Sequence, residues 1–383
     1  MVPAETDALR TLGLLVTGLL ALCAGLVAAR GPCHCEEPVP VENCHCEAPV
    51  RATKQSDRRA EAPADPFAFF RPAVNVSLKE RQAIDKGEAL VMVLPGQDRE
   101  IAVFAALSVH VDGDRLITWV RQISELKKSS FVLSIGRFSA PPRIEDLDGL
   151  ALDDEDLEAV RRCRPGDCGL KLSAPEIAQL QRTIAGAQTE WKTLLQRAFR
   201  RVVLQRVQMY LADGHSALSV YNDHDRPVSL QTTFSSIVRR SMYLTGRLPR
   251  FADYLDRYPR VSAPDVESFV YWSKEQLAGK PVVSATHVSI LRGRDGDLPD
   301  ALVAGRQVFA THYVNGSLSL TAIMRGPAVN YLVYLNRSDV DVLGGFFGGL
   351  VRVVAERRLK AEASEVLQGL GQRLEGGEPP TRR

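Results

Sequence analysis

The signatures that most often announce an enzyme are missing from this chain of 383 residues. There is no His-Glu-x-x-His, no Gly-x-Ser-x-Gly, no Gly-x4-Gly-Lys phosphate loop and no Gly-x-Gly-x-x-Gly turn. No residue is therefore assigned a catalytic role, and no cofactor is expected. An excess of one charge is missing too. Lys plus Arg number 48 against 46 Asp plus Glu, a net +2. That balance gives no electrostatic footprint for nucleic acid. Apolar residues at 45% and charged residues at 25% are ordinary globular usage and exclude disorder of the whole chain. At about 150 residues per domain, the length allows two or three domains, or one large domain with insertions.

Long apolar runs are rare, with one exception. Residues 11–29 read TLGLLVTGLLALCAGLVAA, without a charge, directly after Arg10. That length spans a bilayer as a helix. The run reads as an uncleaved anchor or as a signal peptide cut after Ala29. A lipoprotein site at Cys23 is disfavoured by Leu22 just before it. All three readings export the rest of the chain, giving a single-pass protein with an extracytoplasmic domain, or a secreted or periplasmic one after cleavage. A buried N-terminal core helix is the remaining alternative.

Seven cysteines are present. Cys33-His34-Cys35 and Cys44-His45-Cys46 repeat with a period of eleven residues. Thiolates and imidazoles suit zinc, so Cys33, Cys35, Cys44 and Cys46 are weak metal candidates. An exported location favours disulfides, within one chain or linking two copies as a dimer. A duplicated tether without either role is the third reading. Cys163 and Cys168 bracket Arg-Pro-Gly-Asp, a turn that can bring two thiols together, and a local disulfide is expected there.

Residues 1–30 form the signal or anchor, and 31–66 a Cys/Pro/Glu-rich flexible tether. Residues 67–375 form the globular domain, with a helical insertion over about 173–259, and 376–383 a disordered tail. A short helix is expected over 78–88. Strands are expected at 89–94, 100–111, 130–138 and 168–172, with a helix over 115–127 capped by Asp112-Gly113-Asp114. Asp153-Asp154-Glu155-Asp156 opens a short helix, because acids favour a first turn. One long helix is expected from Ser173 to near Gly214, with more helix over 229–243 and 250–257. Five strands follow at 267–275, 281–292, 305–314, 317–324 and 329–335, with Asn315-Gly316 as a hairpin turn. Asn336 to Asp339 caps a C-terminal helix over 339–372.

This order, with the strand and helix over 101–127 and the run YLVYLNRSDVDVLGGFFGGL, resembles the START-like (helix-grip, SRPBCC-type) superfamily. The resemblance covers roughly 100–172 and 266–372 and rests on element order. It implies an α+β fold in which a curved antiparallel sheet grips the C-terminal helix and encloses an apolar cavity. The helical stretch 173–259 departs from the simplest family pattern.

Three functions are expected from this reading. The first is binding of a lipid-like or other apolar molecule between sheet and helix, with His287, His312, Tyr313, Tyr334, Phe346 and Phe347 as candidate ligand contacts. Ala-Thr-His occurs at 285–287 and again at 310–312. A hairpin symmetric about Leu298-Pro299-Asp300 would set the two imidazoles opposite each other, where they could share a metal or a polar group. Glycines 344, 345, 348 and 349 frame Phe346 and Phe347 and make room for close packing or a ligand. The second is a cavity enzyme of hydrolase or cyclase type using His287 or His312 as general base. The third is a non-catalytic cell-envelope module. Asn75, Asn315 and Asn336 begin Asn-x-Ser triplets, a pattern frequent by chance.

Overall fold

The computed structural model describes residues 65–218, 220–277, 279–293, 299–344 and 348–379. The N-terminal segment, the tether and Cys33, Cys35, Cys44 and Cys46 lie outside the described residues. So do Phe346 and Phe347. No helix among the described residues is long and apolar enough to cross a membrane.

The chain is α+β, built on a large antiparallel sheet. Strands β1 (Leu90–Leu94), β2 (Glu100–Val109) and β3 (Val132–Arg137) come first. A small ribbon of β4 (Val220–Tyr221) and β5 (Val228–Ser229) stands apart. Then come β6 (Val266–Leu277), β7 (Lys280–Arg292), β8 (Ala301–Ala310), β9 (Val314–Met324) and β10 (Asn330–Val340). The sheet order is β1-β2-β10-β9-β8-β7-β6-β3. The last five strands form a meander. Its final strand, β10, lies beside β2, from Glu100↔Asp339 to Val109↔Asn330.

Ten α-helices are found among the described residues. They are α1 (Leu78–Asp85), α2 (Gly113–Arg121), α3 (Ile123–Leu126), α4 (Asp154–Arg162), α5 (Ala174–Ile184), α6 (Trp191–Asp213), α7 (Leu230–Arg240), α8 (Met242–Arg247), α9 (Pro249–Arg257) and α10 (Gly348–Glu375). They cover both faces of the sheet, and the sequence of β2 shows why. Side chains alternate along a strand, yet EIAVFAALSV is apolar at both parities. Ile101, Val103, Ala105 and Leu107 join a front core with α2, α3 and the Leu359, Ala363, Leu367, Leu370 and Leu374 stripe of α10. Ala102, Phe104 and Ala106 face the back with α7, α8, α9 and Phe67, Phe69 and Phe70. The helix and strand come close at Gly371, where an added Cβ would sit 2.9 Å from Leu107 Cδ2.

Residues 138–265 leave the edge strand β3 and return as its neighbour β6. Between these points they build the back layer. Helices α4, α5 and α6 bury Leu157, Ile177, Leu195, Phe199 and Val203 against Trp272, Val283 and Phe309. The insertion is therefore a second wall of the same sheet.

Several local expectations change. The long helix breaks into α5 and α6 at Gly186, whose φ of +79° is left-handed and suits glycine. Residues Cys168–Leu172 are not a strand. The Lys171 N–H donates to Thr311 O (2.8 Å) and the Asn222 N–H to Leu172 O (2.8 Å), so this segment bridges sheet and ribbon. Cys163 and Cys168 are joined by a disulfide. Asn315-Gly316 is not the hairpin turn. The turn lies at Thr311, His312 and Tyr313, with Tyr313 at φ +62°, because Asn315 is wholly buried as a polar anchor. The predicted start of the C-terminal helix at 339 is instead the end of β10. There Asp339 pairs with Arg99 (3.2 Å), a short 3₁₀ turn follows over Asp341–Gly344, and α10 begins later. Beyond α10, Gly377 O accepts from Trp119 Nε1 (3.2 Å).

Candidate functional site

The front face is not apolar throughout. On β9 the run SLSLT sends Leu318 and Leu320 to the back core and Ser317, Ser319 and Thr321 to the front. Ser284 and Thr286 of β7, Gly305 and Gln307 of β8 and Asn336 of β10 join the two serines around one partly open cavity. Lys127, at the end of α3, closes it beside Tyr271 and Glu275 of β6. Gly305 is required there, since a Cβ would lie 2.5 Å from Ser319 Oγ. About 80 Å³ is open to the centres of water molecules. At roughly 10–15 Å³ each, that is room for on the order of six waters or one small polar molecule.

The wall is satisfied mostly by its own atoms. Asn336 Nδ2 donates to Ser317 Oγ (3.1 Å). Ser338 Oγ lies 2.8 Å from Ser317 Oγ and 2.7 Å from Asn336 Oδ1, and its single proton serves one of them at a time. Lys127 and Glu275 are 3% and 7% exposed. The ammonium donates to the Glu275 carboxylate and to Tyr271 Oη (3.3 Å). Burial pushes the Lys127 pKa down, but Glu275 and Tyr271 outweigh burial and hold it above the usual lysine range. Burial pushes the Tyr271 hydroxyl up. Lys127 is thus a fixed cation rather than a nucleophile, and Tyr271 a neutral hydroxyl. One ammonium and one carboxylate leave the cavity without net charge.

The histidines sit elsewhere. In the β7–β8 pairing His287 lies opposite Arg306, and the register slips between Ala285 and Thr286. His312 falls beyond β8, in the turn. The symmetric hairpin is therefore not formed, and the two imidazoles share no group. Neither lines the front cavity, so the general-base expectation has no histidine there. His312 Nε2 lies 3.0 and 3.2 Å from the two oxygens of buried Asp156, which ties the strand turn to the first turn of α4. Tyr313, beside it, has its pKa pushed up to about 12 by burial and by Asp156 and Glu155. Tyr334 is buried in the front core.

His287 lies behind the sheet, 2% exposed. Its Nδ1 is 2.7 Å from Tyr210 Oη, and the Tyr258 ring packs 4.5 Å away between centroids. Burial, then the nearby Arg306 cation, pushes its pKa down to about 3. The imidazole is neutral at ordinary pH.

A further polar centre lies around Lys171. Lys171, 2% exposed, reaches Asp223 (3.1 Å), Asp341 (2.5 Å) and Asn315 Oδ1 (2.7 Å). Asn315 Nδ2 lies 2.7 Å from both Asp339 and Asp341. Asp223, His224 and Asp341 are close enough to share a metal ion. The Lys171 ammonium already occupies the carboxylates, which makes the cluster a buried salt bridge. Burial also removes Asn315 and Asn336 as glycan acceptors (0% and 3% exposed). Asn75 stays exposed.

Alternation of Ser with Leu on β9 was the visible trace of the cavity. Compared with known proteins, the chain matches no family model, no curated protein and no solved structure.

Proposed function

We propose that this is an exported, membrane-tethered domain of START-like, helix-grip type. It holds a small uncharged molecule rich in hydroxyl or amide groups, in the cavity between the front of the sheet and Lys127. Residues 11–29 supply the anchor and 31–66 the tether. The observation that carries the reading is the cavity wall of Ser284, Thr286, Gln307, Ser317, Ser319 and Asn336 around the neutralised Lys127–Glu275 pair. Neutral donors and acceptors in a sheltered space recognise a polar ligand with little desolvation penalty on either side. They favour it over the apolar ligand that the superfamily resemblance implies. The absence of a free nucleophile or base in the wall favours binding over turnover.

Native mass spectrometry of the full-length protein in a mild detergent tests this, with organic extraction as the second step. A retained polar mass that is restored by added myo-inositol or glucose supports the reading. Ser319→Leu then loses it while the melting temperature stays near wild type. Retention of oleate with no response to either polyol would replace the polar ligand by a lipid. No bound mass under any condition would leave a packed envelope module.

A further inference from the structure

One polar side chain of the front cavity is left over when its wall is satisfied. Tyr271, beside Lys127, shares a hydrogen bond with Thr286. Ser284 pairs with Ser273 (3.3 Å), which donates to Glu275. Ser319 Oγ donates to Gly305 O (3.4 Å). With the Ser317, Asn336 and Ser338 set described above, these bonds engage every polar side chain of the wall except Gln307. The Gln307 carboxamide has no hydrogen-bond partner among the described residues, although the side chain is half-buried and lines the cavity.

The backbone aims it there. Gln307 stands opposite Thr286 of β7, and the register slips directly after it, so Val308 has no partner on β7. Val308 and Phe309 both turn to the back core. A bulge of this kind re-aims a side chain beside a site. Gly305, two residues earlier on the same face, adds no side chain and leaves the floor next to Gln307 open.

The chemistry on offer is specific. The Gln307 C=O accepts and its NH₂ donates, side by side in one plane. Another amide whose N–H and C=O lie on the same side meets it with two parallel hydrogen bonds, as a glutamine reads the edge of adenine. The rest of the wall selects the body that carries this amide. Leu277, Val282, Ala310 and Val314 are apolar. A sugar or cyclitol bears hydroxyls all round its ring, and those turned to these aliphatic side chains would lose their hydration without replacement. A lactam keeps both polar atoms on one edge and turns methylenes to the remainder.

We infer that Gln307 is the specificity-determining residue of the front cavity, and that its ligand is a small neutral ring compound with a cis amide, as in a lactam, a cyclic urea or a pyrimidinone. The inference rests on the reading of this cavity as a site for an uncharged polar molecule, and it narrows that reading to the amide.

The probes are 2-piperidinone, cyclohexanone and myo-inositol. The first two share ring size and carbonyl, but cyclohexanone has a methylene in place of the N–H. Each is titrated by calorimetry into the full-length protein in a mild detergent. The Gln307 side-chain NH₂ is followed by NMR and assigned with Gln307→Met. The lactam is expected to move that resonance and to bind roughly tenfold tighter than cyclohexanone, the ratio that one hydrogen bond supplies. Gln307→Met should abolish the preference at an unchanged melting temperature, since the carboxamide bonds nothing in the protein. Equal affinities for lactam and ketone, or a preference that survives in Gln307→Met, would overturn the role of Gln307. Myo-inositol binding alone, or as tightly as the lactam, would overturn the amide and leave the polar-ligand reading standing. No binding of any probe at millimolar concentration would overturn both.

Discussion

On the front of the sheet, Lys127 meets Glu275, and the hydroxyls nearby pair among themselves. On the back, Arg306, Tyr210 and His287 pass one hydrogen bond along a line and leave the last nitrogen without a protein partner. Both arrangements are buried, and both rest on neighbouring residues of β7, since Thr286 faces the front of the sheet and His287 the back. The difference lies in how each set of groups closes. A cation beside a carboxylate completes itself. A chain of donors must end on an acceptor, and here the protein does not provide it.

The comparison breaks first at the front pair. Lys127→Met should destabilise the fold by about 3–5 kcal/mol, because Glu275 is left buried without its cation. Chemical denaturation reads this. The double variant Lys127→Met with Glu275→Met should recover most of the loss, and failure to recover would mean that the pair is more than self-completing. The back is sharpened next, by pH. The His287 pKa is held down at about 3 in the folded chain, against 6.5 when unfolded. Its contribution to stability is complete above pH ~6.5 and is lost as the pH falls toward ~3, since the unfolded chain then binds the extra proton. Wild type should lose about 1.4 kcal/mol per pH unit more than His287→Gln across that window. Parallel curves for the two proteins would show that His287 is not held neutral by the fold. Cys163→Ser should cost about 2 kcal/mol, as loss of a short disulfide loop, without altering the front cavity. Urea midpoints with and without reductant check it. The smallest effect is expected at Tyr210→Phe, about 1–2 kcal/mol. Its sharper sign is spectroscopic: the Nδ1 resonance of His287 should move when the Tyr210 hydroxyl beside it is lost.

The sheet was legible because apolar runs of strand length such as ESFVYWSKE and YLVYL fall within single strands, β6 and β10. The C-terminal helix was legible from its stripe of Leu367 and Leu370. What escaped were contacts between distant segments. A lysine inside CGLKL looks like any strand lysine, and nothing local shows that Asp223, Asn315 and Asp341 will surround it. The front cavity was hidden for a related reason. Ser and Thr alternating with Leu ordinarily mean a strand with one wet face, and here that face turns inward. The histidine pairing failed because one slipped register at Ala285 and a turn placed early at Thr311 move a strand partner completely.

The pairing of β2 with β10 has a consequence in time. Its partners stand roughly 220–240 residues apart in sequence. At about 5–20 residues per second of synthesis, β2 waits on the order of ten to fifty seconds for its neighbour. Until then the strand next to the sheet edge has one side open and both faces uncovered, and such distant pairing is slow to form even afterwards. The domain therefore cannot close before its last strand has emerged.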